Sequence, residues 1–402
     1  MKAHPSTTKI LLVTLEPFWL RRSGAHQRIF TLHQRLHRRY QQVRVFYPLR
    51  MGWREKHTLR SMSWLHVHGR SWRNILLAGC WQVLRRLRLR PTWLRALTPE
   101  ARRRHDLAAL CGRLRPEVVI VEYLWAAYLV EGLREAAEAP RHLVLDTHDV
   151  MHLRSERFER QGIAGARGIS RAQEAERLLQ FDVLLAIQEE EARVLRNMMR
   201  GRQVLVVGHP QETVPPLSQV GTPVRLLFVG SAGPHNVAAI DEFLEHVWKP
   251  LHAEEGSIVN LHLVGPVCDA LAGGPPPGVV LHGYVDDLSP IYAEAHVVIN
   301  PAFAGSGLKI KNVEALCHGL PLMTTPIGEE GLPRAEAEAW VCCSSLEEML
   351  PVLRRLIHHP EEREQLAGNA HAYALRHFSE AAALGALYAF LDHALDATAD
   401  SP

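Results

Sequence analysis

Residues 305–325 read GSGLKIKNVEALCHGLPLMTT, and three kinds of side chain in this stretch do chemistry at short range. Gly305, Ser306 and Gly307 form a turn of small residues after the apolar run HVVINP, and the spacing predicts a helix from about Leu308. The first amides of a helix lack intrahelical partners and carry the positive end of its dipole, so such a turn is an anion site. Glycine there lets a phosphate approach the backbone closely. Lys309 and Lys311 fall in the first turn, where a cation opposes the dipole unless an anion is present. Glu314 follows Lys311 by three residues and shares its helical face. A carboxylate in that place can accept hydrogen bonds from vicinal hydroxyls such as those of a ribose. His318, Gly319 and Pro321 then end the helix. The plainer alternative is an ordinary loop whose lysines form a solvated face paired with Glu314.

The elements that must hold this turn follow a repeating pattern of short β-branched or leucine runs alternating with longer amphipathic ones, the mark of parallel βαβ units. KILLVTL, QVRVFYP, EVVIVE, HLVLDTHD, DVLLAIQ and QVLVVGH are strand candidates in the first half. RLLFVG, VNLHLVG, GVVLHGY, AHVVINP, LPLMTT and AWVCC are strand candidates in the second. Between the halves, HPQETVPPLSQVGTPV has four prolines and no periodicity, which reads as a linker. The division expected is a Rossmann-like domain over 1–208, a hinge over 209–224 and a second such domain over 225–402. The C-terminal helix 378–396 is a candidate to complete the first domain. Two doubly wound α/β domains facing across a cleft suit a small-molecule site at the strand C-termini.

Composition narrows the class. Of 402 residues, 47% are apolar and 22% charged, a globular balance, and the length calls for more than one core. No apolar run reaches the roughly 18 residues of a membrane span. The N-terminus runs into a strand with no cleavable apolar region, so no signal peptide is expected. The six cysteines show no metal-ligand spacing and read as buried apolar residues of a reducing cytoplasm. The net charge of +3 conceals a basic block: Arg50 to Arg104 holds fourteen Lys and Arg against Glu55 and Glu100. Such a block fits an anionic membrane surface, a phosphorylated acceptor or, less well, nucleic acid. Ser71–Leu94 spaces Trp, Leu and Arg helically, as a helix lying on an anionic membrane or a docked helix with solvated arginines would.

From Val224 to about Gly331, the ordered segments LLFVGSAGPHN, LHLVGP, GVVLHGYVDDL and the 305–325 stretch resemble the donor-binding domain of the retaining family-4 glycosyltransferases of the GT-B fold. That resemblance implies a metal-independent, retaining hexosyltransferase that uses a nucleoside-diphosphate sugar, most simply a UDP-sugar, and no cofactor. A glycan or lipid-linked acceptor is implied, within bacterial polysaccharide or glycoconjugate synthesis, in the cytoplasm or peripherally on the inner face of the membrane. By position, Glu314 is similar to the second glutamate of the family's E-x7-E motif, and Ser306 stands where the first would be, as in a subgroup with a small residue there. Lys309 or Lys311 then supplies charge against the leaving diphosphate, and backbone at Gly305, Ser306, Gly307 and Leu308 grips it. Gly230 and Ser231 match the loop after the first strand of the donor domain, and Val285 matches the base-facing loop. In the first half, Gly24 matches the family's glycine loop, and His148 in THDV matches the histidine beside the donor sugar. His26 and Arg28 are candidates to touch phosphate or acceptor, or else mark a solvated helix start. Asn236 reads as the N-cap of the helix that follows.

Three rivals use the same residues. A nucleotide-sugar epimerase would convert the donor with no acceptor. A non-catalytic sugar-nucleotide-binding subunit, suggested by Ser306, would bind without transfer. A transferase acting on nucleic acid would use the basic block, although no RNA- or DNA-binding motif is present.

Overall fold

The computed structural model describes residues 9–69, 98–160, 168–217, 220–271, 274–305, 307–333 and 338–396. Ser306 and residues 70–97, with the whole Ser71–Leu94 stretch, lie outside the described residues.

Two sheets, both wholly parallel, organise the chain. The first comprises β1 (Ile10–Val13), β2 (Val43–Phe46), β3 (Val67–His68), β4 (Val118–Glu122), β5 (His142–Asp146), β6 (Val183–Ala186) and β7 (Gln203–Val206), in the order β3-β2-β1-β4-β5-β6-β7. The second comprises β8 (Val224–Val229), β9 (Val259–Val264), β10 (Val279–Gly283), β11 (Val297–Asn300), β12 (Leu322–Thr324) and β13 (Val341–Cys342), in the order β10-β9-β8-β11-β12-β13. Helices cover both faces of each sheet, so central strands such as ILLV, VVIVE and VVIN are buried along their whole length. Strand order reverses between β1 and β4 and between β8 and β11, and ligands of open α/β sheets bind beyond the carboxyl ends at such points.

The helices that place the site are α1 (Gly24–Tyr40), α2 (Met151–Arg160), α3 (Glu189–Met198), α4 (Pro234–Phe243), α5 (Ile310–Cys317), α6 (Pro360–His377) and α7 (Glu380–Asp396). α1 starts at Ser23, whose hydroxyl accepts a hydrogen bond from the His26 amide at 3.3 Å. α7 returns to the first sheet: Leu384, Leu387 and Leu391 pack with Ile10, Leu36 and Val144. Tyr40 donates to Asp392 at 2.8 Å at the far end of the same contact.

Several local readings shift. α4 begins at Pro234, a residue pre-set for the first helical position, so Asn236 is inside the helix and does not cap it. α5 begins at Ile310, two residues later than the spacing predicts, which leaves Leu308 and Lys309 before the first turn. Of the cysteines, Cys111, Cys268, Cys317 and Cys343 are buried, whereas Cys342 is exposed on the edge strand β13 and Cys80 falls outside the described residues. No helix among the described residues is long and apolar enough to cross a membrane.

Candidate functional site

The turn after β11 and the start of α5 form one wall of a cavity of about 500 Å³ between the two sheets. Gly305, Gly307, Leu308, Lys309, Lys311 and Glu314 all line it. Gly307 has φ +69°, and a Cβ there would lie 2.8 Å from the Asp149 carboxylate of the opposite domain, so a side chain would strain the backbone and displace Asp149. Lys309 is already occupied: its ammonium donates to the Gly307 carbonyl at 2.7 Å and lies 3.9 Å from Glu330. Lys311 is not. Its hydrogen-bond partner is the neutral Asn236 Oδ1 at 3.0 Å, and its ammonium sits 4.2 Å above the Phe228 ring. Burial, with the Lys309 charge adding to it, brings Lys311 down to about 7, and burial brings Lys309 down to about 8. Glu314 accepts from the Tyr292 hydroxyl at 2.9 Å and is pushed up to about 7 by burial.

The same wall continues through the loop after β8 and the start of α4. Gly230 and Ser231 follow β8, and Asn236 of α4 donates to the Ser231 carbonyl and hydroxyl at 3.2 and 3.0 Å. Asn236 thereby links the loop after β8 to Lys311. Val285 lines the cavity beyond β10, beside Tyr284, whose hydroxyl donates to the Leu20 carbonyl of the first domain at 3.2 Å.

The opposite wall belongs to the first domain. Gly24 opens α1, and a Cβ there would come within 3.3 Å of Ile310, so this glycine lets the starts of α1 and α5 meet. His148 follows β5 at φ +60°, a costly conformation for a side-chain-bearing residue that is typical of functional sites. Its ring stacks on Tyr123 with centroids 3.8 Å apart, and its Nε2 lies 2.7 Å from Glu122 Oε2. Arg28 is neither a solvated residue nor a free phosphate ligand. It is 3% exposed, and its donors go to both Asp146 oxygens at 2.9 Å and to the Gly208 and Val207 carbonyls. His26 turns to Glu16, 3.3 Å away.

Glu122 is the member of this cluster that spacing did not single out, whereas Asp146 stands out in the sequence only as a neighbour of His148. Both end strands that read as apolar runs, and only the pairing of β4 with β5, which sets Glu122 beside Asp146, makes them a cluster with His148. Their ligand atoms lie close enough to suit a cation. Arg28 already engages both oxygens of Asp146. Burial and the neighbouring Asp146 raise Glu122.

Residues 223–359 match the family described as glycosyl transferases group 1. No curated protein matches the sequence. Among solved structures, the chain is similar to Anabaena HepE in complex with UDP, at 16% identity over 96% of this chain and 100% of that one, TM-score 0.67. TarM of S. aureus aligns at 9% identity over 96% and 99%, TM-score 0.71. Sucrose-phosphate synthase from Thermosynechococcus elongatus aligns at 13% over 96% and 100%, TM-score 0.66. At these identities the likeness is one of fold. The chain has the GT-B fold, two Rossmann-like domains across a cleft, and its second half carries the match to glycosyl transferases group 1.

Proposed function

We propose that the protein is a retaining glycosyltransferase that moves a sugar from a nucleoside-diphosphate donor, a UDP-sugar first among them, to a glycan or lipid-linked acceptor. The observation that carries this reading is Lys311. It is a half-buried cation facing a cavity between domains, with a neutral partner, one helical turn from a carboxylate suited to a ribose. Such a charge is partly desolvated, with Glu314 one turn away as a partial offset, and a diphosphate supplies the direct counter-charge. The donor class is supported by the match over 223–359 and by HepE, which has been solved with UDP and with UDP-glucose.

In the proposed step the acceptor oxygen bonds to the anomeric carbon as the bond from that carbon to the phosphate oxygen breaks. The acceptor proton passes to the departing phosphate on the same face, which gives retention. The chain's part is electrostatic: Lys311 and the amides at the start of α5 stabilise charge growing on the diphosphate. Glu314 holds the ribose, and His148, fixed by Glu122 and Tyr123, faces the sugar. With lysines in that role, a metal is superfluous, and EDTA is expected to leave turnover unchanged. A requirement for Mn²⁺ or Mg²⁺ in a steady-state assay would overturn the scheme.

Glu314→Ala is expected to weaken UDP binding about 10- to 100-fold, the worth of charge-assisted hydrogen bonds of about 1.5–3 kcal/mol. Calorimetric titration measures this directly. The same titration across pH tests Lys311. In the free protein its ammonium loses its proton from about pH 7 upward, and a bound diphosphate raises that value. Binding above pH 7 must therefore take up a proton, so affinity falls as pH rises, by up to about tenfold per unit. Heats that do not vary with buffer ionisation enthalpy would remove Lys311 from the contact.

The deciding experiment is a panel of UDP-, GDP- and TDP-sugars, scored for thermal stabilisation and slow donor hydrolysis. Stabilisation by none of them sinks the reading, and epimerisation of a donor incubated alone would point to the epimerase instead. Trp53, 77% exposed beside Arg54 and Lys56, suits a peripheral contact with an anionic membrane.

A further inference from the structure

We propose that the acceptor is a neutral sugar ring, seated in a second cavity inside the first domain that opens on the donor cavity through Glu16, Tyr123, Arg154 and Phe158. This rests on the glycosyltransferase reading and adds the substrate class of its other half. The second cavity measures about 670 Å³, and its lining comes from the first domain alone, from Leu15 to Phe158. The four residues named are common to both cavities, so the two adjoin at these side chains.

Three features select the ligand. First, Trp125, Tyr128 and Phe158 line the cavity with rings that are only partly buried. Flat, partly exposed aromatic faces suit the C–H faces of a pyranose, which offers apolar area and a rim of hydroxyls together. Second, Glu122 is 1% exposed and lines this cavity, with its Oε1 unpartnered while Oε2 holds His148. A buried carboxylate oxygen without a donor is costly, and a ligand hydroxyl would satisfy it. The Glu122–His148 pair also joins the two cavities, which sets that hydroxyl beside the donor sugar. Third, the charges do not suit a phosphate. Arg154 is committed to Asp149 at 2.7 Å and lies over the Phe158 ring. Arg103, which donates to the Tyr128 hydroxyl at 2.9 Å, stands against Glu16, Glu100 and Glu122. A lining of three carboxyls and two guanidiniums lacks the excess of cations that selects a polyphosphate and accepts a polyol. A glycoside is thus favoured over a nucleic acid or a lipid phosphate as the group bound here.

The test is ligand-detected saturation-transfer NMR on the full chain with UDP present, using the methyl glycosides of glucose, galactose and N-acetylglucosamine. Glycerol 3-phosphate and a thymidine hexanucleotide serve as phosphate probes. At least one glycoside is expected to bind, with affinity about five- to tenfold lower in Trp125→Ala and Phe158→Ala, the loss of one aromatic stacking contact each. UDP should stabilise Trp125→Ala as it does the unmodified protein, because Trp125 lines the second cavity alone. Should Trp125→Ala fail to fold, the loss of glycoside affinity relative to UDP affinity in Phe158→Ala, which lines both cavities, decides. No glycoside bound, glycoside binding unchanged in the folded variants, or binding lost only for a phosphate probe would each overturn the assignment. Absence of stabilisation by any nucleotide in the unmodified protein would instead overturn the donor reading.

Discussion

Lys311→Ala is expected to lower kcat by about 10²- to 10³-fold while changing the KM for donor far less, an effect of about 3–4 kcal/mol on the barrier. Lys309 and Lys311 stand two residues apart, and spacing alone leaves their roles interchangeable. Their surroundings separate them. Lys309 is held by the Gly307 carbonyl and Glu330, so its charge is largely answered by the protein itself. Lys311 has an amide oxygen and an aromatic face for company, and its field points into the cavity. Charge on a leaving diphosphate grows in the transition state, so an unanswered ammonium acts more strongly there than on the bound donor. Lys309→Ala is the matched control, with a smaller kinetic effect. Equal losses in both variants, or a change confined to KM, would show that neither lysine is specific to the transition state.

Arg28→Ala is expected to cost about 3–5 kcal/mol of folding stability, because it strands the fully buried Asp146 carboxylate without a counter-charge. Total stabilities of domains are about 5–15 kcal/mol, so the loss is a large share of the whole. The guanidinium also ties α1 to the carbonyls of Val207 and Gly208 after β7, so its removal loosens the floor of the first domain's half of the cleft. Chemical denaturation of the variant measures the loss. Removing Asp146 as well is expected to restore part of it, since the double variant leaves no isolated buried charge. A midpoint unchanged from the unmodified protein would mean that the pair is solvated and the first-domain site less rigid than described.

The parts of the site that spacing revealed are those made within a few residues. The turn at Gly305–Gly307 and the approach of Lys311 and Glu314 depend on one loop and one helical turn, and periodicity reports both. Residues whose partner lies far along the chain were read less well. Arg28 and Asp146 are separated by 118 positions, and nothing in the sequence around Arg28 distinguishes an inward guanidinium from a solvated one. Asn236 has the composition of a cap, but Pro234 fixes the helix start earlier and frees the amide to link Ser231 with Lys311.

By itself the sequence determined the two parallel sheets and the glycine-bearing loop between β11 and α5, because apolar runs of strand length, helical stripes and glycine placement act through local backbone geometry. Tertiary structure alone decided which charges became buried partners. It set Glu122, Asp146 and His148 together by pairing β4 with β5, and it laid α7 across the first sheet. It also left Lys311 facing the cleft hydrogen-bonded to the Asn236 amide, with Glu314 acting on it only from one helical turn away. The physical reason is that pKa, ion pairing and cavity shape depend on distance in space. A linear pattern does not encode that distance until the strands have been ordered.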